Sequence, residues 1–79
     1  MSSEEVIEKL EYIFNDIFGD NIPKLTLQTN ADDIEEWDSL AHISILAAVQ
    51  DEFGVTFDMD EIISMKNVGD MVISIQSKL

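Results

Sequence analysis

The 79-residue chain has no cysteine and no arginine, and only one histidine, one tryptophan and one proline. Each scarcity removes a class of function. Without Cys there is no disulfide framework and no thiolate metal site. With His42 as the only imidazole, no multi-histidine metal site forms either. Four lysines face seventeen acids, a net charge of −13. Such a chain cannot neutralise a phosphate backbone, so no nucleic acid is expected as a partner. No apolar run reaches membrane-spanning length, and Met1-Ser2-Ser3-Glu4-Glu5 lacks the basic and apolar regions of a signal peptide. No membrane insertion is expected, and cytoplasmic residence is the default.

What remains is apolar and periodic. Apolar residues make up 46% of the chain, too many for an acidic disordered segment. One domain over residues 1–79 is expected, with a modest core and marginal stability. Its acidity favours solubility and steering toward basic partner surfaces.

The spacing predicts a first helix from about Ser3 to Phe18. Val6, Ile7, Leu10, Ile13, Phe14, Ile17 and Phe18 recur three and four apart and make one wide apolar face. Ser3 is the expected N-cap, and Glu4 and Glu5 suit the positive end of the dipole. Gly19-Asp20-Asn21 ends this helix and Pro23 keeps it ended. A long connection then runs to Trp37, a length often tied to function. Leu25, Leu27, Ile34 and Trp37 are expected to tuck it onto the helices, with a short turn around Asp32 to Glu35. Leu25-Thr26-Leu27 alternates like a strand, but no partner strand is evident.

A second helix should span Ser39 to Phe53, about 22 Å at 1.5 Å per residue. Ile45, Leu46, Val49 and Phe53 form its core stripe. Leu40, Ile43 and Ala47 form a flanking stripe, which either widens the buried face or faces a partner. Gly54 ends the helix. Val55-Thr56-Phe57 is a short extended link. Asp58 and Glu61 read as a capping box that opens a short third helix over Met59 to Ser64. Asn67 caps a fourth helix, whose core face is Met71, Val72, Ile75 and Leu79. Gly69 in its first turn reads as a small penalty. The expected fold is all-α, a four-helix bundle with a long first loop and a short third helix.

Ser39 is the candidate functional residue. It stands where an acidic loop meets an apolar-periodic segment, and a helix N-terminus favours a bound anion such as a phosphate. The plain alternative is that Ser39 only caps the helix, and Asp38 is an equal candidate for the cap. Asp38, Ser39 and His42 do not make a hydrolase: there is no nucleophile elbow, no Gly-rich oxyanion loop and too little chain for a substrate pocket. On this reading His42 is an ordinary surface or interface residue. Asp32, Asp33, Glu35, Glu36 and Asp38 lack the spacing of a calcium loop and read as a solvated acidic face.

Trp37-Asp38-Ser39-Leu40, followed by Ile43, Leu46 and Glu52-Phe53-Gly54, resembles the acyl carrier protein family. Helix order, the long first loop, Phe57, Asp60-Glu61 and Val68-Gly69-Asp70 fit over the whole chain. The resemblance implies that Ser39 carries 4′-phosphopantetheine, installed from coenzyme A by a phosphopantetheinyl transferase. Asp38 would belong to the same site. The acyl cargo would hang as a thioester on the arm, and the chain would be a monomeric shuttle rather than an enzyme. Its partners would be an acyl-loading ligase or acyltransferase, a ketosynthase or other acyl-transfer enzymes. The resemblance also gives Leu40, Ile43, Ala47, Asp60 and Glu61 a partner-binding role. The interior lined by Ile45, Leu46 and Val49 is a candidate shelter for the cargo.

The chain departs from fatty-acid-synthesis carriers, which commonly read Gly-Ala-Asp-Ser-Leu and then place acids early in the second helix. Here Glu36 and Trp37 stand in the Gly and Ala positions, and Ala41, Ser44 and Gln50 replace acids. These departures imply a specialised carrier in a polyketide, surface-glycan or other dedicated acyl-transfer pathway, in place of the housekeeping fatty-acid route. The Met start and the stop just past the last helix imply a discrete protein. An aminoacyl or D-alanyl carrier of the same architecture and a non-carrier helical adaptor are the competing readings.

Overall fold

A computed structural model of the chain describes residues 1–20 and 22–79, so the expected contribution of Asn21 to the first helix stop lies outside the described residues. Four helices follow in order: α1 (Ser3–Phe18), α2 (Ser39–Phe53), α3 (Met59–Ser64) and α4 (Val68–Lys78). All four spans agree with the helical periodicity, and the fold is all-α. α1 packs against both α2 and α4. The Cα radius of gyration is 11.3 Å. A compact chain of this length has about 11.6 Å, so the long loop lies on the bundle rather than away from it.

Side-chain caps set most helix starts. Ser2, not Ser3, caps α1: its hydroxyl accepts from Glu5 N–H, and the Glu5 carboxylate accepts from Ser2 N–H. Ser2 wins because the acid that completes the box lies three residues on from it. The Asp58–Glu61 box opens α3 as expected, and Asn67 caps α4 through Asp70 N–H at 2.7 Å. At the other ends, Gly19 and Gly54 turn the chain with positive φ, and Gly54 is left-handed.

The core draws on every helix. Val6, Leu10, Phe14, Ile45, Leu46, Val49, Met71 and Ile75 are fully enclosed. Leu25, Ile34 and Trp37 bring the loop into the core, and the Trp37 ring meets Phe14 edge-on at 5.1 Å. Two expected core residues stay outside: Leu27 is 43% and Leu79 56% exposed. Leu27 serves through its backbone, as its carbonyl accepts from Gly69 N–H at 2.9 Å. Leu79 lies past the last helical residue and has no element to cover it.

The start of α4 ties the loop down. Its N–H groups have no intrahelical partners, and two of them bond loop carbonyls: Val68 to Thr29 at 2.8 Å and Gly69 to Leu27 at 2.9 Å. The loop forms no strand there, only an isolated antiparallel bridge between Asn30 and Asn67. A Cβ on Gly69 would stand 2.8 Å from the Leu27 carbonyl oxygen. Gly69 is therefore a requirement of the close approach and not a mere penalty. Gln50 braces the link between α2 and α3. Its amide accepts from Phe57 N–H at 2.8 Å and donates to the Leu46 carbonyl at 3.2 Å, a dual role closed to an ionised acid.

Candidate functional site

The site lies where the loop enters α2. Asp38 is the N-cap, accepting from Ala41 N–H at 2.8 Å. That resolves the choice left by the sequence and places Ser39 at the first helical position. Ser39 is exposed. Among the described residues its hydroxyl makes no hydrogen bond, so it is free to react. The backbone N–H groups of Ser39 and Leu40 also stay open among these residues, and they sit at the positive end of the α2 dipole.

Beside Ser39 runs a groove of about 640 Å³ between α2, α3 and the loop, within the roughly 300–1,000 Å³ of small-ligand sites. Trp37 and His42 line its inner side, and Ile43, Met59, Ile62 and Ile63 give it apolar walls. Ile45, Leu46 and Val49, the expected shelter for cargo, do not line it; they are packed shut in the core.

His42 is not a plain surface residue. Trp37 Nε1–H donates to its Nδ1 at 3.1 Å, and its Nε2 lies 2.8 Å from the Ile62 carbonyl oxygen. Both ring nitrogens are committed, so neither is available as a base for Ser39 one turn away. This removes the one arrangement that could have activated the hydroxyl from within the chain.

The flanking stripe of α2 is exposed. Leu40 is 75% and Ile43 44% accessible, and Ala47 is exposed beside them. α3 adds Met59 and Ile63, both exposed, which the sequence reading had not singled out. Their i, i+4 spacing beside a core-facing Ile62 was the available signal. Asp60 is exposed and Glu61 half-buried. Glu61 already holds Asp58 N–H and pairs with Lys78 Nζ at 3.1 Å. The Asp58 backbone N–H, then Lys78, hold its carboxyl below the ordinary glutamate value. Lys78 also lies over the Phe57 ring at 5.2 Å, so the end of α4, α3 and the link meet at one cation.

Among the described residues no three acids or imidazoles converge as a metal cage, and no helix is long and apolar enough to cross a membrane. In the acidic run, Asp33 accepts from Asn30 N–H at 3.0 Å and Asp38 caps α2.

Comparison with known proteins gives one answer. The family model described as "Phosphopantetheine attachment site" matches residues 8–75. The acyl carrier protein of Acidothermus cellulolyticus is 35% identical over 75 residues, covering 91% of this chain and 86% of that protein. The one from Thermobifida fusca is 32% identical over 75 residues, covering 95% of each. The solution NMR structure of holo acyl carrier protein from Geobacter metallireducens superposes with a TM-score of 0.82 at 33% identity, over 91% of this chain and 83% of that one. With the family model matched over most of its length, relatives above 30% identity and a shared fold, the chain belongs to the acyl carrier protein family.

Proposed function

We propose that Ser39 is the attachment point of 4′-phosphopantetheine and that the chain carries acyl groups for a specialised pathway. As a member of its family the chain is a carrier rather than an enzyme, and 4′-phosphopantetheine is its prosthetic group. The observation that carries the assignment to Ser39 is its free, exposed hydroxyl at the first position of α2, beside the groove.

The residues present fit the group. A phosphodiester on Ser39 would meet the open N–H groups of Ser39 and Leu40 and the positive end of the helix. Asp38 is a negative neighbour, but its carboxylate is turned to Ala41 N–H, so its role is to fix Ser39 in the helix. When bound, the group supplies a terminal thiol that holds the cargo as a thioester. The chain supplies a flanking groove with apolar walls and a rim for docking.

That rim supports the partner reading. Leu40, Ile43 and Ala47 would form the apolar contact, and Asp60 the acidic one for a basic partner patch. Glu61 contributes charge there while engaged with Lys78. Family membership implies a phosphopantetheinyl transferase and acyl-transfer enzymes as partners. The first half of α2 carries no acid, with Ala41 and Ser44 where fatty-acid carriers place them, and this favours a dedicated ligase or acyltransferase over housekeeping fatty-acid enzymes.

Incubation with coenzyme A and a broad-specificity phosphopantetheinyl transferase, read by intact mass, tests the assignment. One phosphopantetheine adduct on the wild type and none on Ser39→Ala is expected. An adduct retained by Ser39→Ala overturns it. Efficient loading of the modified chain by a housekeeping malonyl transferase would overturn the specialised pathway.

A further inference from the structure

The only Trp and the only His of the chain are bonded to each other. Trp37 stands two residues before Ser39 and His42 three residues after it. The tautomer follows from the partners. An indole N–H only donates, so Nδ1 of His42 accepts and is unprotonated. A carbonyl only accepts, so Nε2–H donates to Ile62. The ring is therefore the neutral Nε2–H imidazole. The two ring planes are nearly parallel, 23° apart with centroids at 6.0 Å.

Three segments meet in this one side chain: the loop end through Trp37, α2 through His42 and α3 through Ile62. We propose that His42 is a positioning residue for the Ser39 site, a latch that holds the loop to α2 while neutral and releases Trp37 when protonated. A proton on Nδ1 turns the acceptor into a donor. The imidazolium then faces the indole N–H, a donor on the electropositive edge of the ring, and that bond is lost. The Nε2–H bond to Ile62 is kept, so α3 stays tied to α2. The change falls on Trp37 and hence on the wall of the groove and the approach to Ser39. A buried indole N–H left without an acceptor costs free energy, so the loop end must shift to find one.

Among the described residues the charged groups at this corner are few. Asp38 from the loop and Lys66 from the turn after α3 line the same groove as His42. The Asp38 carboxylate is engaged by Ala41 N–H. α3 presents Met59, Ile62 and Ile63 there, and its Glu61 is turned to Asp58 and Lys78. α1 meets Trp37 through Phe14. None of these replaces Nδ1 as acceptor for the indole.

The meaning of the latch for cargo handling rests on the proposed role of Ser39, but the latch itself is tested on the unmodified chain. One Trp gives one indole N–H resonance, and one His gives one set of ring resonances. A titration from pH 8 to 5.5, above the range of ordinary carboxylates, follows both by NMR. The indole N–H and the Ser39 amide should move with the midpoint of the His42 ring. In His42→Gln their movement should disappear. In Trp37→Phe, which keeps an aromatic ring against Phe14, the His42 ring should titrate while the Ser39 amide stays still. An indole resonance that holds while His42 titrates, a ring that does not titrate in this range, or a Ser39 amide that moves equally in Trp37→Phe would overturn the proposal. The mass test of Ser39 is independent of each result.

Discussion

Replacing Gly69 by Ala sets helix propensity against tertiary packing. Propensity alone favours the change, since Ala exceeds Gly by up to about 1 kcal/mol in a helix interior, and by less in a first turn. The structure opposes it. The added Cβ would meet the Leu27 carbonyl oxygen at 2.8 Å and the Asn67 Oδ1 at 3.2 Å. Neither neighbour is the loose end of a flexible chain. The carbonyl is backbone held by Gly69 N–H, and Oδ1 is the cap that accepts from Asp70 N–H. Moving them strains one loop-to-helix bond worth roughly 1 kcal/mol and a cap worth about 1 kcal/mol. Overpacking of this kind costs about 1–3 kcal/mol, so the cost wins. Gly69→Ala should lose about 1–3 kcal/mol, and at about 4–8 °C per kcal/mol in a domain of this size its Tm should fall by roughly 4–24 °C. Urea and thermal unfolding followed by helical circular dichroism measure both. A variant as stable as the wild type, or more stable, would refute the argument that the loop backbone seats on this glycine.

Other outcomes follow from caps and charge. Asp38→Ala should lose about 1 kcal/mol in urea unfolding, because Ala41 N–H loses its acceptor at the start of α2; Asp38→Asn should recover most of it. Glu61 is held below its ordinary value of 4.5 by the Asp58 backbone N–H and then by Lys78. Its contribution is therefore fully present above the unfolded value and is lost as pH falls through the folded one. Wild type should exceed Glu61→Gln in Tm at neutral pH, with the gap shrinking as pH is taken below 4.5. Gln retains the capping geometry but not the pair with Lys78. With a net charge of −13, raising sodium chloride from low to moderate concentration should raise Tm, since it screens more repulsion than attraction; an unchanged or lower Tm would contradict this.

The helices were legible because their signals are local. Apolar spacing, Asp58 with Glu61, Asn67 and the glycine at 54 mark ends within a few residues of themselves. The place of Ser39 at the start of α2 was legible for the same reason, at the seam between an acidic run and an apolar-periodic one. Where sequence reading failed, the deciding partner was distant. Gly69 takes its meaning from Leu27, forty-two positions earlier. His42 takes its meaning from Ile62, twenty positions later. Leu27 is apolar yet exposed because its carbonyl, not its side chain, does the holding. The Ser2 cap is the exception, since the Ser2-x-x-Glu5 box was there to be read. The exposed stripe of α2 could not be separated from a broad core face by periodicity, because only the placement of α1 and α4 decides which stripe is covered.

The central claim, that Ser39 and no other residue bears the prosthetic group, is met most directly by tandem mass spectrometry of the enzymatically modified chain. Seven serines offer the same functional group: Ser2, Ser3, Ser39, Ser44, Ser64, Ser74 and Ser77. The account predicts a single phosphopantetheine on the fragment that contains Trp37-Asp38-Ser39-Leu40, resolved to Ser39. An adduct on any other serine, or several adducts spread over them, would contradict it.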